Sequence, residues 1–320
     1  MFVPPKTGIA PMAGMTDSAF RRLVKRMGGC GLVVSEMVAS EGIVRGIGVT
    51  LEYLEHSAEE RPVAIQLFGG NPATMAAAAR VVEARGADII DVNMGCPVPK
   101  IAKNNAGCRL MREPERAAAI ISAMTKAVTI PVTVKMRAGW SDREVNAIEV
   151  AQRVEAAGAA AIAVHGRTAE QGYSGSADWA LIDRVATSVR IPVLGCGDLV
   201  EPGQIVERLR TSAVSGVLVG RGILRNPWLF AQVHDLLSGR PARPVTAADR
   251  GRFLLDYIDL LAAENPDSGR WIVNKLRALS AWFTKGFEGG ADFRVAVNHA
   301  PSVEDLRRLI SATFGSPCAR

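Results

Sequence analysis

Eight short runs of apolar, β-branched or small residues recur along the first 220 positions of this 320-residue chain. They lie at 8–12, 32–35, 63–67, 89–93, 132–136, 161–165, 193–196 and 216–219. Most are continuous rather than alternating, the pattern of parallel strands covered on both faces. Between them lie Ala-, Arg- and Glu-rich stretches of helical periodicity at 73–85, 115–126, 142–157 and 177–188. Strand–helix alternation repeated in this way predicts an α/β protein, a (β/α)8 TIM barrel. A doubly wound open sheet would carry G-x-G-x-x-G after its first strand, and here that strand runs into PMAGMTD.

After Gly222 the pattern changes. LRNPWLFAQVHDLLSG completes a barrel helix, RPARPVT reads as a linker, and helical runs follow at 249–263, 272–284, 293–299 and 303–312. The expected organisation is a catalytic barrel over 1–240 and a small helical domain over 241–320. Charge follows the same division. The net charge is +6; residues 1–220 hold 24 basic and 22 acidic side chains (+2), residues 221–320 hold 14 and 10 (+4). A basic C-terminal part suits a polyanion, and it equally suits a solvated surface. No apolar run reaches the roughly 18–20 residues of a membrane span, and the N-terminus lacks the features of a secretory signal. The expected location is the cytoplasm, with no membrane association. Five cysteines without a C-x-x-C pair argue against a disulfide framework or a zinc site, and no metal is expected.

The interval after the fourth run is the longest, and it holds GCPVPKIAKNNAGCRLM. It follows a strand's C-terminal end, where barrel enzymes keep their chemistry. The polar residues at strand ends, which converge there, are Gln66, Asp91, Asn93, Lys135, Arg137, His165, Arg167, Asp198 and Arg221. His165 is either a structural histidine or a site residue. The glycines of LGCGDL and LVGRGI, after the last two runs, either present backbone N–H groups to an anion or make tight turns.

These stretches belong to an ordered set: APMAGMTD (10–17), SEM (35–37), QLFGGNP (66–72), DVNMGCP (91–97), AGCRLM (106–111), VKMRAGW (134–140), HGRT (165–168), GCGD (195–198) and VGRG (219–222). With them the chain resembles the tRNA-dihydrouridine synthase family, nearest its bacterial B-type members. The resemblance implies an FMN barrel with NADPH (or NADH) as reductant and tRNA as partner, with no obligate protein partner. It implies that Pro11, Met12 and Ala13 line the flavin and that Gln66 and Lys135 hydrogen-bond its ring. The 196–198 turn (Cys196, Gly197, Asp198) with Gly220 and Arg221 would hold the FMN tail and phosphate. His165 and Arg167 would lie near the cofactor, and Cys96 matches the catalytic cysteine. Asn93, Arg167, Lys100 and Arg277 are the candidate substrate contacts.

The chemistry fits those residue types. Uracil's C5=C6 bond is conjugated to its C4 carbonyl, so hydride added at C6 leaves charge at C5 and O4, and C5 then needs a proton. A loop thiol such as Cys96 can act as that general acid, and a lysine can stabilise the anionic reduced ring. A uridine in folded RNA must be extruded to reach such a pocket, at least cost from an unpaired loop. Lys100, Lys103 and the Arg270–Lys275–Arg277 face would meet RNA phosphates or water; Trp271, Trp282 and Phe283 would stack on bases or join the core.

Two departures stand out. GCGD carries Cys196 where relatives commonly have asparagine, leaving that cofactor contact to the backbone. Ala278 and Phe283 depart from the basic-aromatic pattern of the C-terminal helix, which leaves the RNA docking and the target uridine open. Alternative readings are an FMN barrel oxidoreductase acting on a free pyrimidine, as dihydroorotate dehydrogenases do, a Schiff-base lyase using Lys135, and a non-catalytic RNA-binding barrel.

Overall fold

Parallel strands need crossovers of a dozen residues or more, and the intervals between the apolar runs supply them. The computed structural model describes residues 6–102, 105–265 and 268–315. Its strands are β1 (Thr7–Ile9), β2 (Leu32–Val34), β3 (Val38–Ala39), β4 (Val63–Phe68), β5 (Ile89–Met94), β6 (Val132–Arg137), β7 (Ala161–His165), β8 (Val193–Cys196) and β9 (Gly216–Val219). All paired neighbours are parallel, in the order β2-β1-β9-β8-β7-β6-β5-β4-β3. A further β2–β4 pairing closes the ring, leaving β3 as a short extension along β4. The chain is a closed (β/α)8 barrel.

Two strands differ from the sequence reading. The first ends at Ile9 rather than running to Met12, because Pro11 has no N–H for the ladder. The Met12 N–H instead donates to Thr16 Oγ1 (3.0 Å), and the Met12 carbonyl accepts from Met15 and Thr16 (3.0 and 3.1 Å) in a tight turn. The second breaks between β2 and β3. There Ser35 Oγ accepts the Gln66 N–H (3.0 Å) and donates to the Glu36 carbonyl (2.8 Å), replacing ladder bonds with side-chain ones.

Strand alternation sorts the residues. Leu32, Val34, Ala64, Ala163, Leu194 and Leu218 face inward as one cluster, with Ala10 and Cys196 above them. Ile9, Val33, Ile65, Val92, Val134, Val164 and Val217 face outward into the layer beneath the helices. One strand pleat nearer the C-terminal ends the interior turns polar. The register sets Gln66 beside Asp91, Asn93 beside Lys135, and His165 between Arg137 and Cys196. Three covering helices, Pro72–Ala84, Pro114–Thr125 and Pro202–Thr211, begin with proline, where the lost N–H is an orphan anyway.

The C-terminal helices are Ala247–Glu264, Gly269–Phe283, Gly290–His299 and Val303–Phe314. Thr246 opens them with a capping box, its hydroxyl accepting from the Asp249 N–H at 3.1 Å. Their core is continuous with the barrel's: Phe253 stacks on Phe283 (5.5 Å) and meets Trp228 (5.6 Å). Phe283 is fully buried and is a core residue, not a stacking platform for bases.

Under the first barrel helix, Ser18–Met27, lies the buried ion pair Arg21–Glu60 (2.5 Å). Arg21 also donates to the Thr16 carbonyl (2.7 Å), and Ser18 donates to Glu60 (2.8 Å). Removing one partner strands a buried charge. Glu60→Ala is expected to cost about 3–5 kcal/mol in urea unfolding, and a loss below about 1 kcal/mol would show that the pair contributes little.

Candidate active site

The C-terminal mouth of the barrel holds an open cleft of roughly 550 Å³, counting solvent at its rim. Pro11, Met12, Lys135, His165, Cys196, Gly197, Asp198, Gly220 and Arg221 all line it. Nine residues chosen from sequence as cofactor contacts therefore meet in one place. Ala13 is exposed and outside the lining, and Gln66 is buried beside it.

The rim after β8 is built under strain. Asp198 adopts a left-handed backbone (φ 56°), unfavourable for a residue with a Cβ. It is held by Arg167 Nη2 (2.8 Å) and the Ala177 N–H (2.7 Å) on one carboxylate oxygen. Beside it Gly197 has φ 128°, and a Cβ there would stand 2.5 Å from Ala177 Cβ and 3.1 Å from His165. Only glycine fits this approach.

Four cations surround the cleft, and two are committed to the protein. Arg167 is buried, with Nε on the Ser174 carbonyl (2.9 Å) and Nη2 on the Gly175 carbonyl (2.5 Å) as well as Asp198. Arg137 donates to the carbonyls of Gly95 (2.8 Å), Thr168 (2.9 Å) and Gly172 (2.9 Å). Lys135 is half-buried in the lining and makes no hydrogen bond or ion pair with the described residues. Arg221 is about one-third exposed, 3.7 Å from Asp198 and 4.4 Å from the Tyr173 ring centroid. Lys135 and Arg221 are thus the cations placed to meet a ligand.

His165 sits among all four. Burial first, and then the repulsion of Lys135, Arg137, Arg167 and Arg221, pushes its pKa down to about 2. The ring is neutral at any physiological pH, so it can hydrogen-bond a ligand without adding charge. The sequence reading missed Tyr173. It is 61% exposed, yet its ring lies 6.2 Å from His165 and within cation–π range of Arg221 and Arg137. Its signal was a lone aromatic in the loop directly after HGRT.

Beside the cleft the polar interior forms a chain. Gln66 Nε2 donates to Asp91 (2.7 Å), Thr133 donates to the same carboxylate (2.6 Å), and Asn93 Nδ2 donates to Gln66 Oε1 (2.8 Å). Asn93 Oδ1 accepts the N–H groups of Gly95 (3.1 Å) and Cys96 (2.9 Å), fixing the long loop from below. The Cys96 carbonyl accepts from Cys108 N (2.9 Å). Cys96 itself is half-buried, whereas Cys30, Cys108 and Cys196 are buried. Burial pushes the thiols of Cys30 and Cys108 up to about 12, consistent with packing roles.

The remaining candidates lie apart. Lys100 is exposed on the short helix Pro99–Ala102 of the same loop; Lys103 and Cys318 lie outside the described residues. Arg277 points into the C-terminal helices, donating to the carbonyls of Val297 (3.4 Å) and Ala300 (3.2 Å). Lys275 does not face outward either: its ammonium pairs with Asp17 (2.9 Å) and Glu36 (3.6 Å), at 13% side-chain exposure. Trp271 is exposed with Lys275 over its ring, and Trp282 is half-buried with Lys285 over it.

A closed barrel whose C-terminal mouth carries a cationic cleft and an accessible loop thiol has the architecture of a barrel enzyme. The family model described as "Dihydrouridine synthase (Dus)" matches residues 8–314, and the chain belongs to that family of oxidoreductases. It is 38% identical over 305 residues to tRNA-dihydrouridine synthase B of Xanthomonas campestris, covering 94% of this chain and 90% of that protein. A probable tRNA-dihydrouridine synthase of Rickettsia conorii is 41% identical over 295 residues, covering 91% and 87%. Among solved structures, histamine dehydrogenase from Rhizobium sp. 4-9 matches with a TM-score of 0.59 at 12% identity, over 80% of this chain and 49% of that one. A 2-naphthoyl-CoA reductase complex matches at 0.56 with 14% identity, over 79% and 53%. The chain spans about half of those two proteins, and the likeness is one of fold.

Two measurements check this geometry. With a thiol reagent under native conditions, Cys96 should react fastest of Cys30, Cys96, Cys108 and Cys196, as read by peptide mapping; equal rates would contradict the burial pattern. His165 also sets a pH dependence. Above about 6.5 it is neutral folded or unfolded; below that the unfolded state takes a proton that the folded state refuses. Stability should therefore fall as pH drops from about 6.5, by roughly 1 kcal/mol over the first unit. His165→Gln should flatten that slope in urea titrations at pH 7.5 and 5.5.

Proposed function

We propose that this chain reduces the C5=C6 bond of specific uridines in tRNA to 5,6-dihydrouridine, with FMN as cofactor, NADPH or NADH as reductant and Cys96 as general acid. The observation that carries the reading is the placing of Cys96. It is a half-buried thiol on a braced loop, at the same barrel mouth as a cleft lined by Lys135 and Arg221. The names of the relatives, tRNA-dihydrouridine synthases, support the substrate class.

The residues present fit the cofactor. The cleft offers backbone amides at 197–199 and 220–222 and the Arg221 guanidinium for a phosphate, with Lys135 for an electron-rich ring edge. FMN, once reduced, would supply a hydride, one proton with two electrons, to C6. Lys135, which lines the cleft, would stabilise negative charge on a bound ring. The Cys96 S–H bond breaks and its proton goes to C5, where the electron pair displaced from C5=C6 forms the new C–H bond. The resulting thiolate lies near Arg137, one of the groups it interacts with electrostatically, and regains a proton from water.

The barrel, 1–240, is assigned the chemistry, and the helical part, 241–320, the holding of RNA. Phosphate contacts from the RNA fall to exposed cations such as Lys100 rather than to Lys275, Arg277 or Arg167, whose side chains are wholly or partly buried. A tRNA substrate places the enzyme in the cytoplasm; among the described residues no helix is long and apolar enough to cross a membrane.

Dihydrouridine mapping in RNA from cells lacking the gene tests the proposal. Re-expression of the wild-type chain should restore the modification in tRNA. Cys96→Ala should lower the single-turnover rate by about 10²–10⁴-fold, the usual weight of a general acid, while FMN stays bound. Activity on free uracil or orotate with none on tRNA would favour a free-pyrimidine reductase instead, and full activity of Cys96→Ala would remove the thiol from the mechanism.

A further inference from the structure

The turn that carries Pro11 and Met12 into the cleft is closed by hydrogen bonds between Met12 and Thr16, but these do not reach its apex. Gly14, at its apex, has φ 79°, and a Cβ placed there would meet no atom within 4 Å. Packing does not fix it; hydrogen bonds do. The Gly14 N–H donates to Glu36 Oε2 (2.6 Å), and the Gly14 carbonyl accepts from Lys275 Nζ (3.2 Å), a residue 261 positions away.

Lys275 binds the turn's flanks as well. It sits 2.9 Å from Asp17 Oδ2 and 3.6 Å from Glu36 Oε1, with all three side chains at most 13% exposed. Asp17 Oδ2 also accepts the Tyr257 hydroxyl (2.7 Å), while Oδ1 caps the following helix through the Phe20 N–H (2.9 Å). Lys275 belongs to the helix Gly269–Phe283 and Tyr257 to Ala247–Glu264. Both therefore reach from the C-terminal helices to the barrel mouth. Without the ammonium, Asp17 and Glu36 would repel each other in a poorly solvated space, and the Gly14 carbonyl would lose its donor.

We propose that Lys275 is a positioning residue for the cofactor: through it the C-terminal helices latch the Met12–Thr16 turn, completing from outside the barrel the seat in which FMN binds. This rests on FMN occupying the cleft. Helices assigned to RNA then also set how tightly the flavin is held, and by linkage any shift of those helices alters cofactor affinity.

The test uses the full-length apoprotein, with two readouts. Hydrogen exchange of peptides covering 12–16 should quicken in Lys275→Met, and FMN affinity, titrated by flavin fluorescence, should weaken, each by about tenfold or more, within the range of couplings between linked sites. Lys275→Arg, which keeps a charge and donors, should recover most of both. Unchanged exchange in a folded Lys275→Met protein overturns the latch, and an unchanged FMN affinity despite a loosened turn overturns its role in cofactor binding. Should Lys275→Met fail to fold, Tyr257→Phe removes one bond to Asp17 and should give a smaller change of the same sign; no change there also overturns the proposal. A wild-type chain that binds no FMN overturns the reading of the cleft instead, and is told apart because the turn's exchange still responds to the substitution.

Discussion

A carboxyl group in the middle of a barrel governs the architecture of this site. Asp91 is 4% exposed on β5, and burial raises its pKa, opposed by hydrogen bonds from Gln66 and Thr133 and by the charge of Lys135. A buried group of this kind persists only when satisfied. Satisfying it dictates the rest. Gln66 must aim its amide nitrogen at Asp91, which leaves its oxygen for Asn93; Asn93 then presents its own oxygen upward to the N–H groups of Gly95 and Cys96. The position of the proposed acid is thereby tied, through two side chains, to a carboxylate in the barrel's interior.

Charge around the cleft follows the same economy of partners. Burial, and after it the repulsion of four cations converging on one face, keeps the imidazole of His165 neutral. Arg167 is neutralised by Asp198 and anchored on two loop carbonyls, while Arg137 ties the Cys96 loop to the loop that bears Tyr173. What is left toward the opening is Lys135 and Arg221. A site with many cations thus offers a ligand two of them, and the others supply rigidity. The strained backbone at Asp198 fits this division, because its carboxylate is the counter-ion that keeps Arg167 in place.

Much of this was legible in the sequence, for a physical reason. Apolar runs of parallel strands and the period-2 alternation identify the inward positions, and strand ends converge in any closed barrel. The family resemblance supplied the eleven proposed cofactor contacts, and nine of them line one cleft. What was not legible depended on partners distant in sequence. Nothing local to Lys275 indicates that Gly14 and Glu36 await it, and Arg277 looks like a surface cation until its helix meets the carbonyls of Val297 and Ala300. The partners of Arg167 at Ser174 and Gly175 lie on an irregular loop whose course the sequence does not reveal. The break after β2 escaped because Ser35 replaces ladder bonds with its hydroxyl, a choice that composition does not reveal.

The two ends of the barrel also restrict how any substrate of the proposed kind is met. Leu32, Val34, Ala64, Leu194 and Leu218 fill the interior below the polar layer, so a ring entering the barrel stops at the mouth. There the cleft opens toward solvent, with Tyr173 in its lining. A base still stacked in a duplex could not place its C5 and C6 edge within bonding distance of groups seated at that depth. A uridine swung out of an unpaired segment could, with its phosphates left outside against exposed cations. In the proposed reaction the cleft's place at the barrel mouth, set by inward leucines and the closure of β2 on β4, would favour flipped-out bases over stacked ones.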